Sequence, residues 1–107
     1  MEEFPGAITI TDVDGKIIFL NRQAALVFKE EGGMSLLGKN IRDCHRPESR
    51  EKIRQILETS RPNVYTIEKQ GQKKIIYQAA WTWGGEVRGL VELSLEIPGE
   101  MPHLVRD

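Results

Sequence analysis

The sequence predicts an α+β fold: a five-stranded antiparallel sheet covered on one face by short helices and one longer helix. Three observations carry this. Strand signals cluster at the two ends of the chain, helical spacing is confined to the middle, and Gly, Asp and Asn residues punctuate the segments. The 107 residues make one domain, with 39% hydrophobic and 29% charged residues, a composition able to bury a single core. The expected core is 4–97, with 98–107 a C-terminal tail or linker rich in breakers.

Residues 7–11 alternate apolar and β-branched polar side chains, a strand signal. Asp12-Val13-Asp14-Gly15 is a turn cluster, and 16–20 reads as the second strand of a hairpin. Asn21 is a good helix N-cap, and Ala24, Ala25 and Phe28 follow at helical spacing over 22–29. Gly32-Gly33 ends that helix. Residues 34–38 form a connecting turn, and 39–47 are irregular or briefly helical. The clearest helix is 48–60, where Ile53, Ile56 and Leu57 form one apolar stripe. Pro47 disfavours helix at the residue before it.

Three strands follow, over 64–68, 74–83 and 87–97, with turns at Gly71 and at Gly84-Gly85-Glu86. In the fourth strand Ile75, Tyr77, Ala79, Trp81 and Trp83 share a face. In the fifth, Gly89, Val91, Leu93, Leu95 and Ile97 face one way and Glu92, Ser94 and Glu96 the other, the pattern of a sheet with one wet face. The helices must cover a sheet face, which leaves a pocket between the layers.

The net charge of −1 and interleaved acids and bases argue against a nucleic-acid partner. A single cysteine, Cys44, rules out an intrachain disulfide. No signal-peptide pattern opens the sequence and no apolar run approaches the ~20 residues of a membrane span. A cytoplasmic domain without direct membrane contact is expected. Ser35, Ser49, Ser60 and Ser94 lie in no nucleophile-elbow context and no phosphate-binding loop is present, so no enzyme is expected.

The order of these features resembles the PAS family over roughly 4–97. The resemblance rests on strand, Asp12-x-x-Gly15 turn, strand, Asn21, and a short helix with Ala24 or Ala25. It extends to Leu37-Gly38-Lys39-Asn40-Ile41 and to Gly85-Glu86-Val87-Arg88-Gly89 opening the last strand. It implies a sensory, signal-transducing module that binds a small molecule or a partner domain, commonly as a homodimer. Light-sensing members resemble Gly-x-Asn-Cys-Arg where this chain has Gly38-Lys39-Asn40-Ile41-Arg42, and isoleucine cannot form a flavin adduct. Haem-sensing members use a histidine on the long helix. Residues 48–60 contain none, so a haem sensor would have to use His45 or Cys44. His103 falls in the tail.

Cys44 and His45 alone do not supply a structural zinc site. Asp12 and Asp14 lack the downstream ligands of a calcium loop. No metal is therefore expected, and the cofactor is left unknown. The expected ligand-pocket residues are Phe28, Ile41, Cys44, His45, Ile53, Ile56, Leu57, Tyr77 and Leu93, any of which could equally be core filling. Cys44, His45 and Tyr77 would be polar handles. Trp81 and Trp83 are the expected interface residues. The leading function is a ligand-sensing module whose small-molecule ligand is unidentified. The alternative is a ligand-free interaction module that dimerises or docks other signalling domains.

Overall fold

The computed structural model describes residues 1–44 and 47–107, the side chains of Arg42 and Cys44 excepted. Five strands form one antiparallel sheet: β1 (Ala7–Thr11), β2 (Ile17–Leu20), β3 (Asn63–Lys69), β4 (Gln72–Trp83) and β5 (Glu86–Glu96). Their spatial order is β2-β1-β5-β4-β3, so the first and last strands pair at the centre. Helix α1 (Arg22–Val27), three 3-10 turns (Lys29–Glu31, Gly33–Leu36, Ile41–Cys44) and helix α2 (Pro47–Thr59) connect β2 to β3. These elements follow the expected α+β order. Pro47 is the first residue of α2, where its missing N–H costs nothing. Residues 98–107 carry no helix or strand.

Two turns are dictated by the sequence. Between β4 and β5, Gly84 and Gly85 adopt φ of 62° and 79°, the left-handed pair that a two-residue hairpin requires. At the start of the chain, the Asp12 carboxylate accepts from the N–H groups of Asp14 (3.0 Å) and Lys16 (2.9 Å). That carboxylate builds a hairpin turn. The turn is then met by the later Gly38–Ile41 segment. Gly38 N–H donates to Ile17 O (2.8 Å), Lys39 O accepts from Ile17 N–H (2.8 Å), and Ile41 N–H donates to Gly15 O (2.7 Å). Asn40 Nδ2 closes the joint on Asp14 O (2.9 Å). Two stretches read separately in the sequence therefore form one joint, and it delivers Ile41 to the core.

Asn21 sets the helical layer on the sheet. It caps α1 by accepting from Ala24 N–H (3.0 Å), and the same oxygen accepts from Ile8 N–H in β1 (3.0 Å). Its Nδ2 donates to Gly6 O (2.8 Å) and Met1 O (3.1 Å), and the residue is completely buried. The core then gathers Ala7, Ile17, Leu20 and Leu90 from the sheet, Ala24 from α1, Leu36 and Ile41 from the 3-10 turns, and Ile53 and Ile56 from α2. Leu57 packs half-buried against it.

The register corrects the expected assignment of sheet faces. Directly opposed residues share a face. One row reads Leu20–Thr9–Glu92–Gln78–Asn63 across all five strands, and its members Leu20 and Thr9 lie under the helices. The alternate row reads Ile8–Leu93–Tyr77–Val64 and lies on the face without helices. The helices thus cover the face bearing Glu92 and Ser94, and the more apolar set of β5 is the uncovered one. Strand alternation separates two faces but carries no information on which of them the helices choose.

Asn21→Ala is expected to lower stability by about 2–4 kcal/mol, read as a fall in the urea midpoint at unchanged slope, because buried donors lose their acceptor. A loss under about 1 kcal/mol would show that Asn21 does not anchor the layer.

Candidate functional site

A hollow of about 160 Å³ lies between the sheet and the 3-10 turns. Its floor is Thr9, Ile17, Leu20 and Glu92 from β1, β2 and β5. Its cover is Phe28, Glu31, Leu36 and Ile41. The walls are predominantly apolar, and Thr9, Ile17, Leu20, Leu36 and Ile41 are all buried. Glu31 is exposed and stands at the rim.

Glu92 also lines an adjoining, more polar cleft with Glu48, Ser49 and Lys52 of α2 and with Asn63, Tyr65 and Gln78 of the sheet. The carboxylate thus forms the wall shared by the two spaces. It is held from the side: Gln78 Nε2 donates to Glu92 Oε1 (3.2 Å), and Asn63 Nδ2 donates to Gln78 Oε1 (2.9 Å). A polar ladder therefore runs from the hollow to the first residue of β3. Burial raises the Tyr65 phenol above its ordinary pKa of 10.0, and the nearby charge of Glu92 raises it further.

Of the expected pocket residues, Phe28 and Ile41 stand in the wall of the hollow. Ile53, Ile56 and Leu57 fill the core beneath α2 and do not line it. Tyr77 and Leu93 are on the opposite sheet face, Tyr77 being 40% exposed. The Cys44 side chain and all of His45 fall outside the described residues. Thr9, Ile17, Leu20, Glu31, Leu36 and Glu92 were not expected. A polar residue in β1 and another in β5 look like surface positions until the strand register is known.

The two tryptophans have different roles. The Trp81 indole N–H donates to Thr11 O (2.9 Å), and the ring crosses Gly89, where a Cβ would meet Thr11 O at 1.8 Å. Trp81 is half-buried and spends its donor inside the fold, contrary to an exposed anchor. Trp83, at 75% exposure, remains open at the end of β4.

The arrangement fits an apolar molecule with a small polar head better than a large cofactor. A cavity of about 150 Å³ is known to hold benzene, and a porphyrin is several times larger. His103, the single described histidine, lies in the exposed 98–107 stretch. The described residues therefore do not fit haem. Where a flavin adduct needs a thiol, the buried Ile41 side chain stands in the wall. Among the described residues no group of three His, Cys, Asp or Glu side chains is placed to hold a metal, and no helix is long and apolar enough to cross a membrane.

A single antiparallel sheet carrying a helical layer, with a partly open hollow between the two, defines an α+β domain. A family model for the PAS domain matches residues 5–87, and the chain belongs to that family, whose members are sensory signalling modules. No enzymatic family is indicated. Among curated proteins, none matches by sequence. Solved structures share the fold. The C-terminal domain of a Streptococcus mutans protein aligns with a TM-score of 0.70 at 23% identity, over 89% of this chain and 78% of that one. The Aer2 receptor of Vibrio cholerae, a dual PAS-heme oxygen sensor, aligns with a TM-score of 0.65 at 19% identity, over 87% of this chain and 95% of that one. VqmA of Vibrio cholerae, solved as a ligand–DNA complex, aligns with a TM-score of 0.67 at 14% identity, over 89% of this chain and 47% of that one.

The last of these overturns the exclusion of nucleic acid drawn from net charge. The fold occurs within a chain solved on DNA, and this chain spans under half of it. The charge balance of one domain does not describe what a longer chain containing such a domain can bind.

The raised phenol gives a signed pH prediction. The stability gained by keeping Tyr65 neutral is complete below its unfolded pKa near 10.0 and is lost as pH rises through the higher folded value. Ultraviolet phenolate titration should find Tyr65 above 10.0, and Glu92→Gln should bring the midpoint part of the way down, since burial is the larger cause. An unmoved midpoint would separate Glu92 from Tyr65.

Proposed function

We propose that this PAS domain senses a small, largely apolar molecule held in the hollow between the sheet and the 3-10 turns, and relays its presence as a conformational signal. The observation that carries this is the hollow itself: about 160 Å³, walled mainly by buried aliphatic side chains, with Glu92 in its wall and Glu31 at its rim. A partly open recess lined by aliphatic side chains leaves those side chains short of apolar contacts on its open side. A ligand restores them. A route for the signal is the ladder from Glu92 through Gln78 to Asn63, because displacing Glu92 disturbs the start of β3 beside the end of α2.

Benzene is the simplest probe. At about ten times its dissociation constant a ligand adds about 1.4 kcal/mol, roughly 5 °C in a domain of this size. Calorimetry of sealed samples should show that rise for the natural chain. It should be absent in Leu36→Phe, which adds ring atoms where Leu36 lines the space. No rise in the natural chain, or an equal rise in both, would count against the hollow as a ligand site.

A second use is favoured by the uncovered sheet face, where Tyr77 is 40% and Val64 47% exposed in a row running through Leu93 to Ile8. An apolar row of this length on a free face fits a protein interface. This reading predicts a dimer by light scattering that Tyr77→Lys converts to monomer, with Trp83→Asp weakening it. A monomeric natural chain removes the homodimer form of this reading.

A further inference from the structure

The two edges of the sheet are treated differently. The Gly38–Ile41 segment meets β2. Among the described residues nothing pairs with the outer side of β3, and α2 packs over β4 and β5 rather than over β3. Natural edge strands are commonly blunted by proline, lysine, a bulge or short length. Strand β3 runs for seven residues without a proline, and its pairing with β4 has no bulge. Its single lysine, Lys69, is the last residue, and Val64 to Lys69 are all exposed. The outward backbone groups follow from the register. Ile97 N–H donates to Lys73 O (3.0 Å), so the Lys73 backbone faces β5 and those of Gln72 and Lys74 face β3. Their opposites Lys69 and Ile67 bond inward, and by alternation so do Tyr65 and Asn63. The N–H and C=O groups of Val64, Thr66 and Glu68 therefore point away from the sheet.

We propose that β3 pairs antiparallel with β3 of a second copy of this chain, about a two-fold axis through Thr66, to form one sheet continuous across both copies. The strand is self-complementary in that register. Thr66 opposes the partner's Thr66, and Val64 opposes the partner's Glu68, so every outward residue meets an outward residue. Tyr65 opposes the partner's Ile67. An aromatic residue against a β-branched one and a threonine against a threonine are favourable cross-strand pairs, and no like charges are opposed. The adjacent registers lose this. Centring the pair on Tyr65 sets Glu68 against Pro62, which has no N–H to give, and Lys69 against Arg61. Centring it on Ile67 sets Val64 against Gln70, beyond the end of the strand. A contact limited to one seven-residue strand belongs to the small, transient class. It lies in the plane of the sheet and so goes beyond the open-face contact considered above.

Amide–water exchange, followed by nuclear magnetic resonance on the natural chain at rising protein concentration, tests it. The Val64, Thr66 and Glu68 amides are expected to slow by about threefold or more as concentration rises roughly thirtyfold, because pairing withdraws them from water. Tyr65 and Ile67, bonded to β4, should keep their rates. Thr66→Lys and Thr66→Glu each place like charges on the axis, at an exposed position, so each alone should lose the concentration dependence. An equimolar mixture of the two should regain it. Tyr77→Lys, on the open face, should leave it in place. Exchange independent of concentration in the natural chain would overturn the self-pairing and leave the edge to a strand of another protein. A mixture that behaves as its separate components would overturn the Thr66 axis. Loss of the dependence in Tyr77→Lys would assign the association to the open face and overturn the edge contact.

Discussion

Asn21 makes four side-chain hydrogen bonds from a position with no exposure to solvent. They join three things that the chain must bring together: the entry segment at Met1 and Gly6, the β1 backbone at Ile8, and the first turn of α1 at Ala24. Because one rigid amide serves all three, the helical layer begins at a fixed height and direction over the sheet. The second fixture is the joint between the Asp12–Lys16 turn and the Gly38–Ile41 segment, which holds the far side of the cover. Between these two anchors the chain passes through short 3-10 turns, which contribute few side chains to the space below. The hollow follows from that geometry.

The sheet beneath is unusual in where it places its polar residues. A buried polar group is costly unless it is satisfied. Here Asn63, Gln78 and Glu92 satisfy one another laterally across β3, β4 and β5, on the face the helices cover. The apolar row of the same strands is turned outward. Both features are hard to explain by stability alone, since exchanging the faces would bury more apolar surface. They are coherent in a module that reads a ligand on one face and meets a partner on the other.

Much of this was legible in the sequence. The strand and helix order, the two-glycine turn before β5, the Asn21 cap and the stripe of α2 are local features, decided by residues within a few positions of one another. Phe28 and Ile41 were expected at the pocket, with core filling as the equal alternative, and both stand among the residues lining the hollow. What could not be read was long-range. The alternation of β5 pointed its apolar set, with Leu93, under the helices, and the register places that set on the uncovered face instead. The covered face is settled by the entry direction from Asn21 and by the β1–β5 register, neither of which is a local property. Glu92 and Thr9 were missed for the same reason. Each reads as a solvent-facing residue within its own strand, and they become a pair only when Thr9 is set opposite Glu92.

The central claim is that a small apolar molecule enters the covered side of this sheet and not the open side. Methyl-detected nuclear magnetic resonance with benzene addresses it directly, because aliphatic reporters stand on both faces. Saturable shifts are predicted for the methyl groups of Ile17, Leu20, Leu36 and Ile41, with Val91 and Leu93 unmoved. Shifts confined to Val91 and Leu93, or no saturable shift at any methyl, would contradict the account.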